Sequence, residues 1–404
     1  MSSFGLPKAD RPKECRLSAK RLARLSEAFR EDVERNMIPG AVVMIARGGQ
    51  MAYAEAFGFR DREAKAPMQL DAIFRIASMT KPLTSVAAMI LAEEGKLQIA
   101  APVAEYLPEF ANRTVGPERV PAKRTMTVQD LLRHTSGLTY AAFGDSAVQM
   151  IWRDAQPMTD AQTNAEMVTK LASLPLMFEP GTTWEYSMST DVLGRVVEVV
   201  SGQDLADFID ARICRPLGLR DTGFVATRER AERIAEAQID PATGARPPMR
   251  DVSRPSRWMS GGGGAVSTAA DYVRFCQMLL NGGELDGTRI LAPMTVALMA
   301  SDHLPPGCNY GDTARPRFGA LAPVPEMGYG FGLGFAVRTD AGRCPLPGSV
   351  GEYFWGGVLG TSFWIDPVER MVVVAMMMAP ERRLYYRHLL RPLVYGALVG
   401  PLPS

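Results

Sequence analysis

Apolar residues recur at helical spacing through residues 17–36 (LSAKRLARLSEAFREDVERN). Leu22, Leu25 and Phe29 share one stripe, and Ile38-Pro39-Gly40 ends the pattern. The period then changes. AVVMIARGGQMAYAEAFGFRD reads as a strand, a Gly48-Gly49 turn and a second strand, which predicts a hairpin. An apolar helix follows at 82–95 and stops at Gly95. From 96 to 325 helical patches alternate with Pro- and Gly-rich loops. Thr127 and Asp130 before LLRH, like Thr268 and Asp271 before YVRFCQMLL, have capping-box spacing, with Asp for the usual Glu or Gln. Residues 302–328 show little periodicity and read as loop. Strand patterns return in YGFGLGFAVRTD, VLGTSFWIDP and MVVVAMMMAP, and a last helix is expected over 381–398.

Strands at both chain ends around a helical middle predict an α+β fold. Residues 1–95 and 326–404 are expected to pair into one antiparallel sheet, flanked by N- and C-terminal helices. Residues 96–325 are then an inserted, mainly helical domain, with the active site between the two. Gly261–Gly264 lacks the Lys-Ser/Thr of a phosphate loop and reads as a flexible turn before a helix.

Composition adds mostly exclusions. Hydrophobic residues make up 47% and charged residues 22%, an ordinary globular balance. Lys and Arg total 45 against 44 Asp and Glu, so no charge excess points to nucleic acid or to a cationic partner. The charged N-terminus has no apolar signal core, and no run of about 18 apolar residues points to a membrane. The five cysteines are scattered and none forms C-x-x-C, which fits a reduced, cytoplasmic chain. Three histidines (His134, His303, His388) make no zinc spacing, and no metal or other cofactor is implied. No G-x-S-x-G elbow is present, which disfavours a Ser-His-Asp hydrolase of the usual layout. GYGFGLG has alternating glycines that suit a strand beside a pocket better than a dinucleotide loop.

Three short stretches carry candidate chemistry. The first is Ser78-Met79-Thr80-Lys81, the only Ser-x-x-Lys in the chain. Residues three apart share a helix face. Pro82 fits only the first turn of a helix, so the helix must start near Ser78. A serine there lies beside unpaired N–H groups and the positive end of the helix dipole, which favour an oxyanion. A buried lysine one turn on is suited to take its proton. The second is Glu185-Tyr186-Ser187-Met188-Ser189, where a tyrosine facing Lys81 would share the base role. The third is Trp355-Gly356-Gly357-Val358-Leu359-Gly360, whose glycines allow close approach and whose free N–H groups can supply half of an oxyanion hole.

In this order the three stretches resemble the serine β-lactamase and penicillin-recognising superfamily, most closely its esterase branch, the family VIII carboxylesterases. LLRHTSGL at 131–138 and SGGGGAVSTAADYVRF at 260–275 resemble further family segments, so the likeness spans nearly the whole chain. The resemblance implies an antiparallel sheet with terminal helices and an all-helical lobe. It makes Ser78 the acyl-accepting nucleophile, Lys81 and Tyr186 its base pair, and the Ser78 and Val358 amides the oxyanion hole. Trp355, Gly356 and Gly357 would line the site, Tyr140 would line the pocket, and His134 would be structural.

Two departures from the class C β-lactamase pattern bear on substrate. Met188 stands where an Asn would bind a substrate amide, and a methionine cannot hydrogen-bond it in that way. Trp355 stands where a cationic or polar residue would anchor a carboxylate, so anionic substrates are expected to bind poorly. The expectation is a serine carboxylesterase acting on small neutral esters of short-to-medium acyl chains. An acyltransferase of the same superfamily, a β-lactamase or D-amino peptidase, and a catalytically dead scaffold are the alternatives.

Overall fold

The structure, a computed structural model, describes residues 4–240 and 243–402. Its centre is one eight-stranded sheet in which every pairing is antiparallel. The strands are β1 (Gly40–Arg47), β2 (Gln50–Asp61), β3 (Ala66–Pro67), β4 (Tyr329–Phe331), β5 (Ala336–Arg338), β6 (Tyr353–Gly356), β7 (Ser362–Asp366) and β8 (Met371–Met377). Their spatial order is β4-β5-β6-β7-β8-β1-β2-β3. The two chain ends meet where β1 pairs with β8, from Ala41 opposite Met377 to Arg47 opposite Met371.

That junction explains why AVVMIA and VVVAMM do not alternate with polar residues. Both faces are covered, so both faces must be apolar. The helix Ala269–Leu280 packs on β1 and β8. The helices Ala19–Glu34 and Arg383–Tyr395 pack against each other, and the first also covers β2. Phe29 stacks on Phe57 of β2 with ring centroids 5.1 Å apart and meets Tyr386 at 5.2 Å. Ser18 caps the first helix by accepting from the Arg21 N–H.

Two strand expectations change. YGFGLGFAVRTD forms two strands, β4 and β5, because Gly334 takes φ +105° and the chain turns back on itself. Tyr353–Gly356 is a strand whose four-residue pattern is too short to show a period. Of the two capping-box spacings, Thr127 with Asp130 closes fully. Thr268 caps its helix, but Asp271 turns away to accept from the Asp221 N–H (2.7 Å) and the Thr222 hydroxyl (3.0 Å).

The helix Thr80–Glu93 is buried on every side from Thr80 to Leu91 and packs on the helix Ser189–Ser201. A helix apolar all round belongs in an interior, and this one carries the Ser-x-x-Lys at its start. No helix among the described residues is long and apolar enough to cross a membrane.

Candidate active site

Ser78 sits in a single tight turn, Ala77–Met79, that runs straight into the helix beginning at Thr80. Ala77 has φ +44°. A non-glycine residue there is strained by about 1–3 kcal/mol and stays only if its surroundings hold it. They do: Thr80 Oγ1 donates to the Ala77 carbonyl (2.7 Å) and accepts from the Ala265 N–H (3.0 Å). Tyr272 Oη donates to the Met79 carbonyl (2.8 Å). The turn presents Ser78 to a cavity of about 250 Å³ that Tyr140, Tyr186, Gly356 and Val358 also border.

Lys81 lies behind that serine and is 1% exposed. Its ammonium donates to the Gly262 carbonyl (2.7 Å) and to Tyr140 Oη (3.0 Å). The Tyr186 ring faces it, with Nζ 4.6 Å from the ring centroid. Trp355 Nε1 donates to Tyr186 Oη (3.2 Å), so one lone pair of that phenol is occupied and its own O–H is free to point elsewhere. Burial, then the Asp191 charge and Tyr186, pushes the Tyr140 phenol well above its ordinary value.

The opposite wall is the turn between β6 and β7. It is closed by Gly357 N–H to the Thr361 carbonyl (2.8 Å). Thr361 Oγ1 donates to the Ile76 carbonyl (3.2 Å), which docks the turn against the residues just before Ser78. A Cβ on Gly357 would stand 2.3 Å from Thr361 Oγ1 and 2.5 Å from the Ile76 carbonyl oxygen. Only glycine permits this approach. Among the described residues, the backbone N–H groups of Ser78 and Val358 make no hydrogen bond. Two unspent donors therefore flank the cavity beside the serine.

The sequence that carries this site matches a family. The family model described as Beta-lactamase matches residues 25–389. The chain belongs to the β-lactamase family. Esterase EstB of Burkholderia gladioli is 35% identical over 368 residues, covering 85% of this chain and 87% of that one. Lovastatin esterase of Penicillium rubens is 31% identical over 380 residues, covering 88% and 92%. The solved structure of EstCE1, described as a hydrolase with promiscuous acyltransferase activity, superposes with a TM-score of 0.79 at 30% identity, over 95% of this chain and 99% of that one. The chain is thus a serine hydrolase of the β-lactamase family, with the antiparallel sheet and helices of that fold.

Not every expected residue reaches the cavity of this β-lactamase-family chain. Ser78, Tyr140, Tyr186, Gly356 and Val358 border it. Lys81, Trp355 and Gly357 stand directly behind them. Met188 is fully buried at the start of the helix Ser189–Ser201 and does not border it. His134 is buried beside the Tyr186 ring, its Nδ1 against Ser187 Oγ at 3.3 Å, and burial holds its imidazole well below the ordinary value, so it is neutral.

Several residues escaped the sequence reading. Asp191, buried, accepts from Ser260 Oγ (2.5 Å) and from the Gly262 N–H (3.0 Å). The Gly261–Gly264 segment is therefore not a flexible turn. A Cβ on Gly261 would meet the Thr190 carbonyl at 2.7 Å, and one on Gly262 the Asp191 carboxylate at 2.4 Å. Four consecutive glycines read equally as flexible or as packed, and only the neighbours decide. From 302–328, read as loop, Arg317 and Phe318 enter the cavity wall. Arg383 and Arg387 do so from the last helix, where arginines carry no motif.

Proposed function

We propose that the chain is a serine carboxylesterase that hydrolyses esters of short-to-medium acyl chains through an acyl-enzyme on Ser78. The observation that carries this reading is Lys81, fixed one helical turn behind Ser78 between two phenols, with the free N–H groups of Ser78 and Val358 beside the same cavity. The relationship to EstB and to EstCE1 supports it.

In the first step Ser78 Oγ bonds to the ester carbonyl carbon, and its proton passes to the Lys81–Tyr186 pair, which accepts it in the form that holds one proton fewer than ammonium plus phenol. Negative charge develops on the carbonyl oxygen, between the Ser78 and Val358 amides. The bond to the alcohol oxygen then breaks, and Tyr186 returns the proton to that oxygen. In the second step a water loses its proton to the same pair and attacks the acyl carbon; the bond to Ser78 Oγ then breaks, the pair returns the proton to that oxygen, and the acid is freed. Tyr140 orients Lys81 throughout.

Hydrolysis of p-nitrophenyl butyrate tests the reading. The wild type turns over, Ser78→Ala does not, and a fluorophosphonate leaves one adduct, on Ser78. Equal rates for the two proteins, or an adduct elsewhere, overturn it. The EstCE1 description favours one further readout: added alcohol should divert part of the acyl group into a new ester.

A further inference from the structure

Three arginines face the cavity of Ser78: Arg317 from 314–318, and Arg383 and Arg387 from the last helix. The last two are four residues apart and so share a helix face. Among the described residues none of the three forms an ion pair, although arginines elsewhere in the chain pair freely, as Arg391 does with Glu352 (2.5 Å). Arg317 lies over the Phe143 ring, 3.4 Å from its centroid, and its Nε is buried without a hydrogen-bond partner. Arg387 Nη2 donates to the Gly357 carbonyl (2.6 Å), and its Nε is also buried and unpartnered. Arg383 Nη1 donates to the Pro380 carbonyl (2.9 Å).

Such crowding is unfavourable without an anion. Burial, then the charge of Arg383, pushes both Arg317 and Arg387 down, Arg387 to about 10, which still leaves that guanidinium charged at neutral pH. The nearby carboxyls do not neutralise them. Asp191 is committed to Ser260 and Gly262, and Glu185 accepts from Thr139 Oγ1 (3.1 Å) and acts on Arg317 only from beyond ion-pair distance.

Resting on the esterase reading above, we propose that Arg317, Arg383 and Arg387 form a subsite for a carboxylate carried by the alcohol half of the ester. Guanidinium groups bind carboxylates through paired, charge-assisted hydrogen bonds. The alcohol half is assigned because the arginine wall adjoins Tyr186, the group that protonates the departing oxygen: Arg317 lies over the Phe143 ring, which stacks on the Tyr186 ring with centroids 6.0 Å apart. Trp355 leaves its own side of the site uncharged, so the expectation that anions bind poorly reads one wall only. The positive charge enters from the last helix and from 314–318.

The test compares kcat/KM for 3-acetoxybenzoate with that for 3-acetoxybenzamide, which is matched in shape and neutral. It uses the wild type, Arg317→Gln and Arg383→Gln. The wild type is expected to prefer the carboxylate at least about tenfold, and each substitution to lower that preference about tenfold, as loss of a charge-assisted pair does. Rising salt should erode the preference in the wild type. The ratio is independent of how much enzyme is folded, because both esters meet the same active molecules. A wild-type ratio near one, or a ratio unmoved by both substitutions, overturns the subsite and leaves the esterase reading standing. If neither acetoxy ester nor p-nitrophenyl butyrate is hydrolysed, the esterase reading falls, and the subsite with it.

Discussion

Lys81 Nζ donates a hydrogen bond of 3.0 Å to the phenol oxygen of Tyr140, while Tyr186 offers it a ring face at 4.6 Å. One ammonium is thus held by two tyrosines in different ways. Tyr140 is kept protonated by burial and by the nearby Asp191 charge, and a neutral phenol accepts from an ammonium without taking its proton. Tyr186 has its oxygen held by Trp355 instead, and that oxygen belongs to the cavity wall. On the proposed mechanism the first orients and the second exchanges the proton.

Single hydroxyl deletions separate these roles. Tyr140→Phe removes one charge-assisted hydrogen bond but leaves Lys81 on the Gly262 carbonyl, so kcat on p-nitrophenyl butyrate should fall about 10- to 100-fold. Tyr186→Phe removes the proton carrier and should cost about 10²- to 10⁴-fold. KM should change little in both. A larger loss from Tyr140→Phe than from Tyr186→Phe would transfer the base role to Tyr140.

How far the sequence reaches depends on the range of each signal. The β1-β2 hairpin and the start of the buried helix were legible because each is written in consecutive residues: Gly48-Gly49 with apolar runs on both sides, and Ser78 with Pro82 behind it. The pairing of β1 with β8 was legible more coarsely, as strands at both ends that need partners. Asp191 was not, because its role is set by Gly262, 71 positions away, and a lone aspartate in a helix's first turn looks like a dipole partner. Arg317 and Arg387 were hidden for the same reason. What marks them is that neither forms an ion pair among the described residues, which is a property of the fold.

The glycines of the β6-β7 turn make different demands. In Gly357→Ala the new Cβ meets the Ile76 carbonyl at 2.5 Å, and a backbone atom cannot swing aside. The turn must lift from the start of the Ser78 helix and carry the Val358 amide with it. Loss of one oxyanion donor costs about 10²- to 10³-fold in kcat, and that is the expected fall, with KM nearly constant. In Gly356→Ala the obstacle is the Arg387 guanidinium at 2.5 Å, the end of a flexible side chain, so kcat should fall less than tenfold. Steady-state kinetics of the two variants side by side decide the point, and equal losses would contradict it.

Glu185 predicts a pH dependence of stability. Burial, opposed by the Thr139 hydrogen bond and the Arg317 charge, raises its carboxyl from 4.5 to about 7. The folded chain therefore holds this proton more tightly than the unfolded chain. Its contribution is fully present below pH 4.5 and is lost as pH rises through about 7, a change of about 3 kcal/mol. Asp271, raised by burial to about 6, acts in the same direction. Urea unfolding at pH 5 and pH 8 should show the wild type losing stability between them, and Glu185→Gln losing less. An identical pH slope in the two proteins would refute the assignment.

Asp191 reaches Lys81 through a chain of contacts. Its carboxylate accepts from the Gly262 N–H, and the carbonyl of that same residue accepts from Lys81. It also accepts from Ser260 Oγ, so both neighbours are donors. Both donors converge on one oxygen, Oδ1, which asparagine would still offer, so the informative variant is Asp191→Ala, which leaves both donors unpaired. The Gly262 peptide then shifts, and Lys81 moves with it. A misplacement near 1 Å can cost about 10²-fold in rate, so kcat and the rate of Ser78 labelling by a fluorophosphonate should fall together by about that factor. Circular dichroism should stay near wild type while Tm drops, since a buried donor left unpaired costs about 1–3 kcal/mol. A variant that loses Tm but labels Ser78 at the wild-type rate would confine Asp191 to stability and remove it from the positioning of Lys81.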